Sequence, residues 1–102
     1  MPQPEAAPTV LCFFRWPEGH DRFTDEQLER LQQEHLDYQQ LLREQGKVSA
    51  AGPFSAQPDE SWRGLNVYTT SLEEARLLAA QDPSVRAGRL AVDVFEWWPG
   101  AR

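Results

Sequence analysis

The feature that most restricts what this chain can become occurs twice: a β-branched, aromatic run followed by a helix-start signal. Residues 9–16 (TVLCFFRW), bounded by Pro8 and Pro17, have the composition and length of a strand. A surface loop over residues 17–23 follows, and then Thr24-Asp25-Glu26-Gln27 fits a capping box. In such a box the threonine hydroxyl accepts from an orphan backbone N–H while the glutamine side chain reaches back. The second occurrence is residues 62–70 (WRGLNVYTT), a strand, followed by Ser71-Leu72-Glu73-Glu74, a second capping box. A chain that alternates in this way is committed to packing helices against a sheet.

The remaining elements fill in between. The first helix runs to about Gln45, where Gly46 supplies a left-handed stop. At roughly 100° per residue, Leu28, Leu31, His35, Tyr38 and Leu42 share one stripe, with Leu41 on its edge. Glu26, Glu29, Arg30, Gln33 and Glu34 read as the solvated face. Residues 47–54 (KVSAAGPF) form a short strand running into a Gly-Pro turn, and residues 55–61 are a polar loop. The second helix ends near Ala80; Asp82-Pro83 then looks like an N-cap with proline at the first helical position, opening one more turn that Gly88 ends. Residues 89–98 (RLAVDVFEWW) are the fourth strand.

The order is β-α-β-β-α-β, which predicts an α+β fold of the ferredoxin-like type: a four-stranded antiparallel sheet with both helices on one face. The other face should be polar, yet both sides of the outer runs are apolar. Val10, Cys12, Phe14 and Trp16 point one way and Leu11 and Phe13 the other; Leu90, Val92, Val94 and Trp98 oppose Ala91, Phe95 and Trp97. A lone domain would leave one of these faces wet, so a second copy of the sheet is expected to cover it, giving a homodimer.

At 102 residues there is room for one domain, over residues 9–99, between a Pro/Ala-rich tail at residues 1–8 and a short end at 100–102. The net charge of -6, with nine arginines and a single lysine, Lys47, supplies no basic stripe and points away from nucleic acid and from anionic membranes. No run is long enough to span a membrane, and the N-terminus lacks the pattern of a secretory leader, so a cytoplasmic address is expected. Cys12, alone and inside an apolar run, reads as a buried thiol and leaves no disulfide or cysteine-based zinc site.

Two residues are candidates for chemistry. His35 lies near the centre of the helix's apolar stripe, where leucine would be expected. It is either a core histidine satisfied by one hydrogen bond or a partly buried general acid/base, since imidazole titrates near neutral pH. Asp82 is explained by its N-cap role alone, yet an oriented carboxylate beside His35 would also fix the imidazole tautomer and stabilise the ring when it takes a proton. His20 reads as a surface histidine, and adjacent Trp97 and Trp98 as interface or core. No glycine-rich phosphate loop or dinucleotide fingerprint occurs, and no cofactor is expected.

Several segments, in register, resemble the YciI-like (YCII-related) family. They are His35-Leu36-Asp37-Tyr38, the Gly46-Lys47 break, Ala51-Gly52-Pro53-Phe54, Ser71-Leu72-Glu73-Glu74-Ala75 and Asp82-Pro83-Ser84-Val85-Arg86-Ala87-Gly88. The resemblance covers residues 9–98. It implies a ferredoxin-like monomer that dimerises sheet to sheet as a dimeric α/β barrel, with a pocket holding a His–Asp pair, here His35 and Asp82. It also implies cofactor-independent proton transfer, as in a dehydrochlorinase of aromatic degradation or in barrels that isomerise muconolactone. Many relatives carry an arginine shortly before the histidine, whereas Gln32-Gln33-Glu34 stand there in this chain. Arg15, Arg63 and Arg86 are the candidate substitutes for binding an anion. The leading expectation is a lyase or isomerase acting on a small organic substrate. The competing one is a non-catalytic ligand-binding or interaction module on the same barrel, and a cofactor-free monooxygenase rests on fold analogy alone.

Overall fold

The computed structural model describes residues 8–100. Residues 1–7 and 101–102, which make up nearly all of the two expected tails, lie outside the described residues. The elements run β1 (Thr9–Arg15), α1 (Asp25–Glu44), β2 (Val48–Pro53), β3 (Trp62–Tyr68), α2 (Leu72–Ala80), α3 (Pro83–Arg86) and β4 (Ala91–Trp97). The strands form one antiparallel sheet in the order β2-β3-β1-β4. This is the ferredoxin-like arrangement.

Local chemistry starts and stops these elements much as the sequence requires. The α1 box is complete: Gln27 donates its backbone N–H to Thr24 Oγ1 at 3.1 Å, and its side-chain oxygen accepts from the Thr24 N–H at 2.8 Å. Gly46, at φ +72°, ends the helix in the left-handed region that a side chain disfavours. At α2 only half of the expected box forms. Ser71 Oγ accepts from the Glu74 backbone N–H, but the Glu74 carboxylate is drawn away to Lys47 Nζ at 2.8 Å, a charge pair preferred to a return bond to the backbone.

The expected Gly52-Pro53 turn is instead the end of β2, paired with Leu65 and Gly64. Proline is tolerated there because β2 is an edge strand. Gly64 is needed at this crossing, since a Cβ on it would lie 2.7 Å from the Gly52 carbonyl oxygen. Strand β1 stops one residue sooner than expected. Trp16 leaves the sheet, its N–H bonding to Ser61 O, and is not part of the core cluster.

One side of the sheet meets all three helices. Val10, Cys12 and Phe14 of β1, Val48 of β2 and Tyr68 of β3 pack there against Leu42, Ala75 and Ala79, with Val92 and Val94 at the margin. The two alanines, four apart on α2, let that helix lie close over Cys12, which is fully buried. Tyr38 ties the helices together by donating its hydroxyl to Leu78 O at 2.7 Å. Leu41, on the edge of the stripe, is exposed.

The opposite side carries no helix. Across it run two rows, Val67–Leu11–Phe95 and Leu65–Phe13–Asp93, with Phe54 and Trp62 packed on Phe13. Phe95 is 42% and Trp97 52% exposed.

A candidate active site around His35

Asp82 is where the polar chemistry of the buried layer converges. It caps α3 by accepting from the Ser84 N–H on Oδ1 at 2.9 Å. Its other oxygen, Oδ2, lies 2.6 Å from His35 Nδ1 and 3.1 Å from Gln39 Nε2. The residue is only 1% exposed, so all three donors act in a region that excludes water. Helix geometry explains the convergence on the α1 side: His35 and Gln39 are four apart and share a face. Ser84 closes the other end, its hydroxyl bonding to Leu31 O at 3.2 Å.

The donors and acceptors leave one consistent assignment. A carboxylate only accepts, so Gln39 must turn its NH2 to Asp82, and its oxygen then accepts from Asn66 Nδ2. By the same logic His35 carries a proton on Nδ1, and in the neutral ring Nε2 holds the free lone pair. Among the described residues Nε2 has no protein partner, and no buried side-chain nitrogen or oxygen lacks one, so Nε2 is open to its surroundings. Phe14 supports the ring edge-on at 5.4 Å.

What Nε2 opens onto is a cavity of about 690 Å³ between α1, the β2–β3 end of the sheet and the α3–β4 corner. Its polar lining includes His35, Gln39, Asn66, Glu29 and Arg43 and its apolar lining Phe14, Leu28, Leu31 and Leu90, while Trp16, Arg63 and Arg89 also border it. Asp82 is not on the surface of the cavity; it stands behind His35. The negative charge of Asp82 is felt through the core. Burial first, and Asp82 second, push the Cys12 thiol up to about 12, and the same two causes in the same order raise Tyr38.

The structure thus brings His35 and Asp82 together and separates the other candidates. Arg15 lies on the helix-free face, paired with Asp93 at 3.1 Å, and Arg86 is exposed on α3; of the three arginines weighed, only Arg63 borders the cavity. His20 is half-buried and not a plain surface residue: it stacks on Trp16 at 4.4 Å and 7°. Trp97 and Trp98 take no part in the cavity. Gln39, Asn66, Ser84 and Arg89 went unread in the sequence. Gln39 alone had a signal, its place four residues after His35 and three before Leu42. Among the described residues no cluster of three or more His, Cys, Asp or Glu could hold a metal ion, and no helix is long and apolar enough to cross a membrane.

Among curated proteins, no sequence matches this chain. Among solved structures, the chain is similar to 5-chloro-2-hydroxyhydroquinone dehydrochlorinase from Burkholderia phenoliruptrix AC1100, in complex with 2,5-dihydroxybenzoquinone. The TM-score is 0.61 at 19% identity, over 87% of this chain and 92% of that one, a likeness of fold. The family model of the YCII-related domain matches residues 9–98, nearly the whole of the described chain, and the protein belongs to that family.

Proposed function

We propose that this protein is a small-molecule lyase or isomerase in which His35 moves a proton and Asp82 orients it. One observation carries this reading: Nδ1 of His35 is committed to a buried carboxylate while Nε2 faces an open cavity. The lone pair on Nε2 takes a proton from an acidic O–H or C–H of the ligand. The positive charge that the ring gains then lies beside Asp82, where low polarity strengthens the attraction. The proton returns at another atom of the same molecule, an isomerisation, or leaves with a departing group, an elimination. A cavity with one apolar and one polar wall suits a flat, oxygenated ring of the kind bound by the dehydrochlorinase.

We also propose that the protein works as a homodimer, in the cytoplasm. The support for the dimer is the helix-free face, where Phe95 and Trp97 would otherwise stand in water.

The fully satisfied set of bonds around Asp82 favours a second reading, in which His35 and Asp82 only pin α1 to α3 and the cavity binds a ligand without changing it. The His35→Ala variant separates the two. The protein and the variant are incubated with 5-chloro-2-hydroxyhydroquinone while chloride release is followed, and 2,5-dihydroxybenzoquinone is titrated into both. Proton transfer predicts chloride release that falls at least about a hundredfold in the variant, the usual range for a lost general acid/base. The fold should survive with a loss of about 1–2 kcal/mol. Tight binding without turnover in either protein would favour the ligand-binding module.

A further inference from the structure

We propose that the wall of the His35 cavity contains an anion clamp formed by Arg63 and Arg89, and that the ligand is therefore a small acid bound through its carboxylate. The inference rests on the reading of the cavity as a substrate site and names the class of substrate.

A break in the sheet puts Arg63 there. Phe14 pairs with Gly64 and Arg15 with Trp62, so the β1–β3 register slips and Arg63 is left without a partner. A bulge re-aims the side chain it carries. The Arg63 guanidinium consequently lies over the Trp16 ring, 3.9 Å from its centroid, and does not stand on the helix-free face with Leu65 and Val67. Arg89 reaches the same ring from the α3–β4 corner, at 5.1 Å. Each guanidinium is fixed through one nitrogen to a backbone carbonyl at 2.8 Å, Arg63 to Glu60 and Arg89 to His20. The other N–H groups remain for a ligand.

Two like charges held on one indole are an unusual thing to leave unanswered. Among the described residues neither guanidinium has a carboxylate within ion-pair distance, although the chain as a whole is acidic, at -6. Burial first, and the Arg63 charge second, lower the pKa of Arg89, with Asp21 opposing them. A carboxylate between the two forks would relieve the repulsion and form charge-assisted hydrogen bonds to both.

The test uses benzoate and its neutral counterpart benzamide, titrated against the protein while the Trp16 indole N–H and the arginine Nε–H signals are followed by NMR. Benzoate should bind roughly tenfold or more tightly than benzamide, as expected for a hydrogen bond to a charged group. Arg63→Gln and Arg89→Gln should each remove most of that preference without weakening benzamide. Arg15→Gln, on the other side of the sheet, should leave both affinities unchanged. Equal binding of the two probes, no binding of benzoate, a preference that survives the double substitution, or one that falls only with Arg43→Gln, at a third arginine lining the cavity, would each overturn the clamp. His35→Ala keeps this proposal apart from the proton-transfer one. A benzoate preference retained in that variant supports the clamp whatever becomes of turnover, and its loss there would place the anion on the histidine instead.

Discussion

The two faces of the sheet invert the ordinary distribution of polarity. The face against the helices buries Asn66 at 3% exposure and, above it, Gln39 and Asp82, all joined by hydrogen bonds. The helix-free face leaves Phe95 and Trp97 largely exposed. Each arrangement opposes the hydrophobic effect, and each needs its own explanation. A buried polar string is tolerable only when every member is satisfied, and it then holds its groups in one geometry; here that geometry aims His35 Nε2 into the cavity. An exposed aromatic face is tolerable when something covers it. The inner face thus points to chemistry and the outer face to a partner.

The outer half of the comparison can be broken most completely. In the proposed homodimer, sedimentation at micromolar concentration should give about twice 11.7 kDa. Phe95→Arg places a charge at the β4 end of the row Val67–Leu11–Phe95, and burying it unpaired costs several kcal/mol, so the assembly should fall to a monomer. Because Phe95 does not belong to the core, the helical circular dichroism should persist. A wild-type protein already monomeric and soluble would end the argument from the outer face.

The inner half should respond to Asp82→Ala. The substitution removes both acceptor oxygens of the carboxylate and strands three donors: the Ser84 N–H, Gln39 Nε2 and His35 Nδ1. Leaving such groups unpaired in a closed region costs about 3 kcal/mol or more, measured by urea unfolding. A loss under about 1 kcal/mol would mean that water reaches the site and that the string is not the constraint described here.

Much of this was legible beforehand, for physical reasons that differ by residue. The Thr24 box and the Gly46 stop are local, decided by a few neighbours in sequence, and both appear as read. The Ser71 box failed by half because Glu74 met Lys47, a partner supplied by the fold. The alternation of β1 placed Leu11 and Phe13 on the outer face, and with the same rule Arg15 could have been removed from the list of cavity arginines. Arg63, on the same list, could not have been ranked above the others, since the bulge that turns it appears only when β1 and β3 are in register. Gln39 and Asn66 were hidden for another reason. A hydropathy stripe scores them as surface, and what makes them inner residues is the carboxylate that Gln39 meets and the oxygen that Asn66 then finds.

The finest test leaves the packing intact and changes one atom. Asparagine caps a helix about as well as aspartate, so Asp82→Asn should alter stability by no more than about 1 kcal/mol. Its side chain, however, has one acceptor where the carboxylate had two. If the oxygen keeps the Ser84 N–H, the amide NH2 occupies the place of Oδ2 and faces His35 Nδ1 and Gln39 Nε2. A donor there requires Nδ1 to accept, so the ring proton must move to Nε2, and the cavity then meets an N–H in place of a lone pair. Gln39 must also reverse its amide to avoid opposing donors, which breaks its bond with Asn66 or reverses that amide too. Long-range ¹⁵N–¹H correlation of the imidazoles reads the change directly: the His35 pattern should switch from Nδ1–H to Nε2–H, and proton transfer should fall with it. His20, whose Nδ1 lies 3.1 Å from the Pro17 carbonyl, should keep Nδ1–H in both proteins and serves as the internal reference. A His35 pattern that stays unchanged would show that the tautomer is set from the cavity side, and Asp82 would then be a helix cap and nothing more.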